Sequence, residues 1–251
     1  MKRYLITFVV VIVAALSFAA DKPLTVFVFG DTSAAARQTD QTDERGWAQL
    51  LPTYFTDMVT VIDLAEEGKS TQLMVSESIW QRQKDQITRG SFVILQFSDY
   101  DIKQNNSYAH ASIEEYQKNL EQMVKDIKKK GGKAIICTPP ARLHYSAETE
   151  QLVERHGGYV EAARRVAKAN KLPLLDLNER TSIWLSQLSK EDAAAYFIPQ
   201  GSDGQDNDLR LNEAGALKVA WFAADEIQAK KVKKLSAQLN MYNTDPRYSE
   251  R

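Results

Sequence analysis

Five short apolar runs rich in β-branched and aromatic residues divide this chain, and none of them alternates with polar residues. They are Leu24-Thr25-Val26-Phe27-Val28-Phe29 and the stretches at 59–64, 91–97, 133–138 and 172–177. A strand with one wet face alternates, whereas an unbroken run of this length belongs to a strand covered on both faces. Helical patterns fill the intervals, at 44–55, 70–87, 112–130, 154–170 and 212–237. Ser112-Ile113-Glu114-Glu115 supplies a start signal for the third and Gly131-Gly132 a stop. Strand followed by helix five times predicts an α/β fold, an open parallel five-stranded sheet with helices on both faces. Ligands meet such sheets at the carboxyl ends of the strands. That directs attention to 30–33, 66–70, 98–103, 139–145 and the segment before the last helix.

The first residues follow another rule. Met1, Lys2 and Arg3 give a positive start, an apolar stretch runs to Leu16, and Ser17-Phe18-Ala19-Ala20 offers small residues for cleavage. This pattern is that of a signal peptide over 1–19, too short for a membrane span, and it predicts export to the periplasm or beyond. The remainder reads as one domain over 20–237 with a polar tail at 238–251. Removing Lys2 and Arg3 takes the formal charge from −1 to −3. That near-balance argues against nucleic acid as a partner, which selects a basic excess. The single cysteine, Cys137, excludes an internal disulfide and any cysteine-cluster metal site. Set inside an apolar run, it reads as a small buried hydrophobe.

Phe29-Gly30-Asp31-Thr32-Ser33-Ala34-Ala35, then Glu44-Arg45-Gly46-Trp47 and Leu51-Pro52, resemble the opening of the rhamnogalacturonan acetylesterases, members of the SGNH (GDSL) hydrolases. Ala65-Glu66-Glu67-Gly68-Lys69-Ser70, Ile94-Leu95-Gln96-Phe97, Thr138-Pro139-Pro140-Ala141-Arg142, His156-Gly157-Gly158-Tyr159, Asp176-Leu177-Asn178 and Leu211-Asn212-Glu213-Ala214-Gly215-Ala216 follow in the family's order. The resemblance implies a three-layer α/β/α sandwich with a flavodoxin-like parallel sheet. It implies no cofactor and no metal, and an acetylated polysaccharide such as pectin as the ligand class. The family's chemistry uses a serine nucleophile after the first strand, a histidine base, and an aspartate three residues before it. An N–H of a glycine and an asparagine side chain help to hold the oxyanion.

Carried over position by position, the pattern departs from the family at almost every hydrolytic residue. Thr32 stands in the nucleophile's place, with Ser33 one residue later. Gly68 is kept. Ser98-Asp99-Tyr100-Asp101 replaces Gly-x-Asn-Asp, so Tyr100 takes the asparagine's place and Asp101 is retained. Asn207-Asp208-Leu209-Arg210 replaces Asp-x-x-His, putting Asn207 at the aspartate and Arg210 at the histidine. Arginine keeps its proton near neutral pH and cannot serve as a general base. It could instead bind a carboxylate of a uronate, or pair with Asp31, Asp206 or Asp208. No histidine follows His156, leaving His144 as the candidate for a relocated base, His110 as a loop residue, and His156 as a structural or sugar-contacting group. Ser33, Asp101, His144 and His156 are the candidate substrate-side residues. Asp31, Asp99, Asp101, Asp203, Asp206 and Asp208 gather near the mouth without the spacing of a metal loop, and Asp31 alternatively caps the first helix by charge. Trp47 and Trp80 lie in helical patterns and read as core. Three functions follow from the pattern: a catalytically impaired relative that binds polysaccharide, an esterase using Thr32 or Ser33 with an unusual base, or a structural envelope protein.

Overall fold

Strand β1 (Leu24–Gly30) runs parallel to β2 (Val59–Asp63) on one side and to β3 (Phe92–Gln96) on the other, and β4 (Lys133–Cys137) and β5 (Leu174–Leu175) extend the sheet beyond β3. The order β2-β1-β3-β4-β5 is parallel throughout. This is a computed structural model, and it describes residues 22–40, 42–199 and 207–241. The leader at 1–19, Asp203, Asp206, the side chain of Asn207 and the tail beyond 241 lie outside the described residues.

Because successive side chains of a strand face opposite ways, each strand feeds two cores. Val26, Val28, Phe92, Ile94, Ile135 and Cys137 pack on one face. Their neighbours Phe27, Phe29, Val93, Leu95, Ala134 and Ile136 pack on the other. Helices α1 (Trp47–Leu50), α2 (Thr71–Ser76), α3 (Ile79–Gln83), α4 (Ile113–Lys129), α5 (Gly158–Asn170), α6 (Leu177–Ser186), α7 (Lys190–Ala194) and α8 (Glu213–Ala229) surround the sheet. Trp80, Tyr116, Met123 and Val166 cover one face. Trp47, Leu185 and Ala220 cover the other, which completes the three layers.

Several predicted helices differ in length for local reasons. The 44–55 pattern is one turn of α-helix followed by a 3-10 turn (Leu51–Tyr54) that starts beside Pro52, which has no N–H to donate. The 70–87 pattern breaks at Ser78, whose φ of 57° ends one helix and starts the next. The 154–170 pattern becomes helical only at Gly158, and the last helix ends at Ala229. In place of a long final strand, Asp176 caps α6 by accepting the Glu179 N–H, so the chain turns helical directly after Leu175.

Candidate functional site

The chain passes from the β2 edge back across β1 to β3, and the carboxyl ends of β1 and β3 at that switch are where open parallel sheets take ligands. The turn after Gly30 is where the candidate site begins. The Asp31 carbonyl accepts the N–H groups of Ala34 and Ala35, both at 3.1 Å. Its carboxylate does not face a helix start. Oδ2 accepts the backbone N–H groups of Ser98 and Asp99 at 2.8 Å each, and Oδ1 accepts Nε2 of Gln96 at 2.8 Å. The dipole role expected for Asp31 is therefore replaced by a tie between two strands. Gln96 Oε1 in turn accepts Ser33 Oγ and Trp47 Nε1, each at 3.0 Å. Ser33 thus points inward and gives its proton to an amide that is no base.

Thr32 faces the other way. Its Oγ1 accepts the Gly68 N–H at 3.3 Å. Gly68 has φ of 78°, a conformation that glycine adopts without cost. The ring of Tyr100 lies 3.7 Å from where a Cβ of Gly68 would stand, and the Lys103 ammonium sits 3.9 Å from that ring's centroid. The asparagine's place is therefore filled by an aromatic ring packed over the conserved glycine. Ser98, in the glycine's place, keeps a φ of 149° while its buried Oγ has no partner among the described residues.

Among the described residues Arg210 lies in a cluster with three other charged side chains. Its Nη1 meets Glu44 Oε2 at 2.8 Å and its Nη2 meets Glu67 Oε1 at 2.5 Å. Arg37 completes the set: Nη2 lies 2.9 Å from Glu44 Oε1 and 3.6 Å from Glu67 Oε2, and donates to the Thr32 carbonyl at 3.1 Å. Antiparallel bridges Glu44–Asn212 and Phe197–Leu211 pin this segment across the edge of the sheet. Asp208, an expected partner of Arg210, is held by Arg142 at 2.6 and 2.7 Å. Asp31, the other described candidate, is committed to Gln96 and the β3 loop.

His156 is fully buried, with Nε2 at 2.9 Å from Asp99 Oδ1 and Nδ1 at 2.9 Å from Glu154 Oε1. Burial alone would lower its pKa, but the two carboxylates outweigh this and raise it, favouring the protonated ring. Burial presses against the ionised form of Glu154 as well, and the bonds from His156 outweigh it, bringing that carboxyl down to about 2. Burial, followed by the charge of Asp99, pushes Asp31 well up, and Asp99 is held low despite burial by His156 and Arg142. Asp101 is buried and accepts the N–H of Thr71 at 3.0 Å and its hydroxyl at 2.5 Å, while burial pushes its pKa to about 7.

The structure gathers Thr32, Gly68, Tyr100 and the Arg210 cluster at one edge and sends the other candidates elsewhere. Ser33, Asp101 and His156 are inside the wall, not facing a ligand. His144 lies in the loop after β4, 3.4 Å from the Arg155 guanidinium, and has no bond to Thr32 or Ser33. His110 Nδ1 is 2.7 Å from the carbonyl of Asp101. Among the described residues no group of three His, Cys, Asp or Glu could hold a metal ion. Trp47 and Trp80 are core residues, as their helical spacing predicts. Gln96, Glu44, Glu67 and Arg142 stand inside the stretches that carry the resemblance, yet nothing in their spacing announces their partners. Arg37 carried no signal at all.

Residues 28–217 match the model of the GDSL-like lipase/acylhydrolase family. The chain belongs to that family. Over 214 residues it is 25% identical to rhamnogalacturonan acetylesterase RhgT of Bacillus subtilis (strain 168), covering 82% of this chain and 90% of that protein. Its fold matches the crystal structure of the protein YxiM from Bacillus subtilis with a TM-score of 0.72 at 23% identity. That match covers 84% of this chain but only 58% of the YxiM chain. It also matches a catalytic mutant of Axe2, an acetylxylan esterase from Geobacillus stearothermophilus, with a TM-score of 0.63 at 14% identity over 82% and 94% of the two chains. These matches show that this GDSL-family chain shares the fold of those structures. No helix of the described residues is long and apolar enough to cross a membrane.

Proposed function

We propose that this GDSL-family protein is an exported carbohydrate-esterase homologue that has given up ester hydrolysis and serves by binding acetylated polysaccharide in an accessory role. The observation that carries the reading is Arg210 in the base's place, held between Glu44 and Glu67. A guanidinium so paired neither accepts a proton nor orients an imidazole. The chain has 3 histidines, and each is engaged away from Thr32. Hydrolysis without a triad member runs on the oxyanion hole and binding alone, about 10³–10⁴-fold over water in a serine protease. Loss of a side-chain donor to the oxyanion, as Tyr100 for asparagine implies, costs a further factor of about 10²–10³. The cleavage pattern at 1–19 supports export, and the acetylesterase relative supports the polysaccharide class.

The test is acetate release from acetylated rhamnogalacturonan and from an aryl acetate by the mature protein and a Thr32→Ser/Asn207→Asp/Arg210→His variant. The wild type should be silent and the variant should gain measurable turnover. Turnover by the wild type, abolished by Thr32→Ala, overturns the reading.

A further inference from the structure

On the side of the molecule, helices α6 and α8 part around a cleft of about 310 Å³ that contains none of the candidate residues of the site described above. Trp184, Trp221 and Phe222 line it, with ring centroids 5.8 Å apart for Trp184–Phe222 and 5.4 Å for Trp221–Phe222, all edge to face. Both tryptophans are half-buried, whereas Trp47 and Trp80 are wholly inside. Lys218 Nζ lies 5.3 Å from the Trp221 ring and 5.6 Å from that of Phe222, and Arg180 Cζ lies 5.2 Å from Phe222. Asp225, at 2.5 Å from Arg180 Nη2, fixes that guanidinium in place but does not itself line the cleft. Among the described residues no carboxylate lines it. A second cleft of about 310 Å³, lined by Leu152, Val153, Glu154, Ser182 and Ser186, shares Ile183 with the first, and its carboxylate sets it apart from the first in charge. Ile183 is 51% exposed, and the second cleft reaches Ala141 in the loop after β4, at the carboxyl edge.

We propose that this cleft is a second carbohydrate site that takes a uronate-bearing pyranose of an acidic polysaccharide chain. The inference rests on polysaccharide being the ligand class. Aromatic faces carry negative electrostatic potential, which draws the cations here and equally attracts the polarised C–H face of a pyranose. The cations at the rim supply the complement of a sugar carboxylate, and the volume is at the small end of ligand sites, suited to a short glycan segment.

Of the 4 tryptophans, Trp184 and Trp221 border this cleft, so a ligand there changes their emission over a constant contribution from buried Trp47 and Trp80, and Trp221→Ala identifies the responding part. Titration with oligogalacturonate should quench and shift the emission, with weaker binding at higher salt, and a neutral xylo-oligosaccharide should bind less tightly. Trp221→Ala and Lys218→Gln should each weaken oligogalacturonate binding by about tenfold, and Ile183→Glu, on the exposed ridge, should weaken it where Trp221→Ala fails to fold. Unchanged affinity in the folded variants overturns the proposal, as does tighter binding of the neutral sugar. A concentration-dependent dimer that Ile183→Glu dissociates also overturns it, since a second copy would then be the occupant. If the triple variant gains esterase activity but the cleft binds nothing, this inference fails alone. If the wild type releases acetate and the cleft still binds, the loss of hydrolysis is what fails.

Discussion

Gln96 joins the nucleophile turn to the sheet more firmly than any other single residue. Its side chain accepts Ser33 Oγ and Trp47 Nε1 and donates to Asp31. Gln96→Leu strands two buried donors and an acceptor, each costing about 1–3 kcal/mol. It should lower stability by roughly 4 kcal/mol in urea unfolding, and a loss below about 1 kcal/mol would mean that water or a neighbour replaces the amide. At this scale the sequence was most informative about substitution and least about partners. That Arg210 stands where the family has a histidine is legible from the order of motifs. That Glu44 and Glu67 hold it is not, because the partners are 166 and 143 residues away. The same limit applies to one half of the His156 site: Glu154 is two residues away, but Asp99, 57 residues away in the loop after β3, is not announced by the motif.

Among the elements, α8 shows how close approach overrides helix propensity. A Cβ on Gly215 would stand 2.0 Å from the carbonyl oxygen of Tyr196 and 3.2 Å from Leu211 Cδ2. Alanine in a helix gains about 1 kcal/mol over glycine, yet here the helix or the Tyr196 backbone must move. Gly215→Ala should destabilise by about 2 kcal/mol net, a fall of roughly 6 °C in the thermal midpoint; a rise would show that the 196–197 segment yields freely. Strands β1, β3 and β4 were legible because burial on both faces forces unbroken apolar composition, whereas β2 is apolar but half exposed and the 172–177 run keeps only Leu174–Leu175 as strand. The boundaries were less so. Ser78 splits one predicted helix through a left-handed backbone that its residue type does not announce, and α6 begins where apolar Leu175-Asp176-Leu177 looks like strand until Asp176 is seen as a cap.

Across the whole molecule, several buried groups titrate with one sign. Burial pushes Asp63 and Asp101 from their ordinary 3.8 to about 7, and Asp31 is raised too. A carboxyl whose pKa is raised on folding stabilises below its unfolded value, and that contribution is lost as pH rises through the folded value. His156, also raised, stabilises below 6.5 and loses this as pH climbs through its folded value. Glu154 acts oppositely: brought to about 2, it stabilises above 4.5 and loses this as pH falls. The thermal midpoint should therefore be highest near about pH 5 and decline toward about pH 8, and Asp63→Asn should flatten the decline. A midpoint that rises from pH 5 to 8 would mean that these carboxyls ionise in the fold without cost. The sequence by itself determined the alternation of strand and helix and the parallel sheet, since periodicity is local, and residue identity supplied the resemblance on which the proposed exchange of hydrolytic residues rests. Only the tertiary structure decided which charges neutralise one another, which hydroxyl faces Gly68, and which aromatic rings remain beside water. Those depend on contacts between segments far apart in the chain, and chain spacing does not encode them.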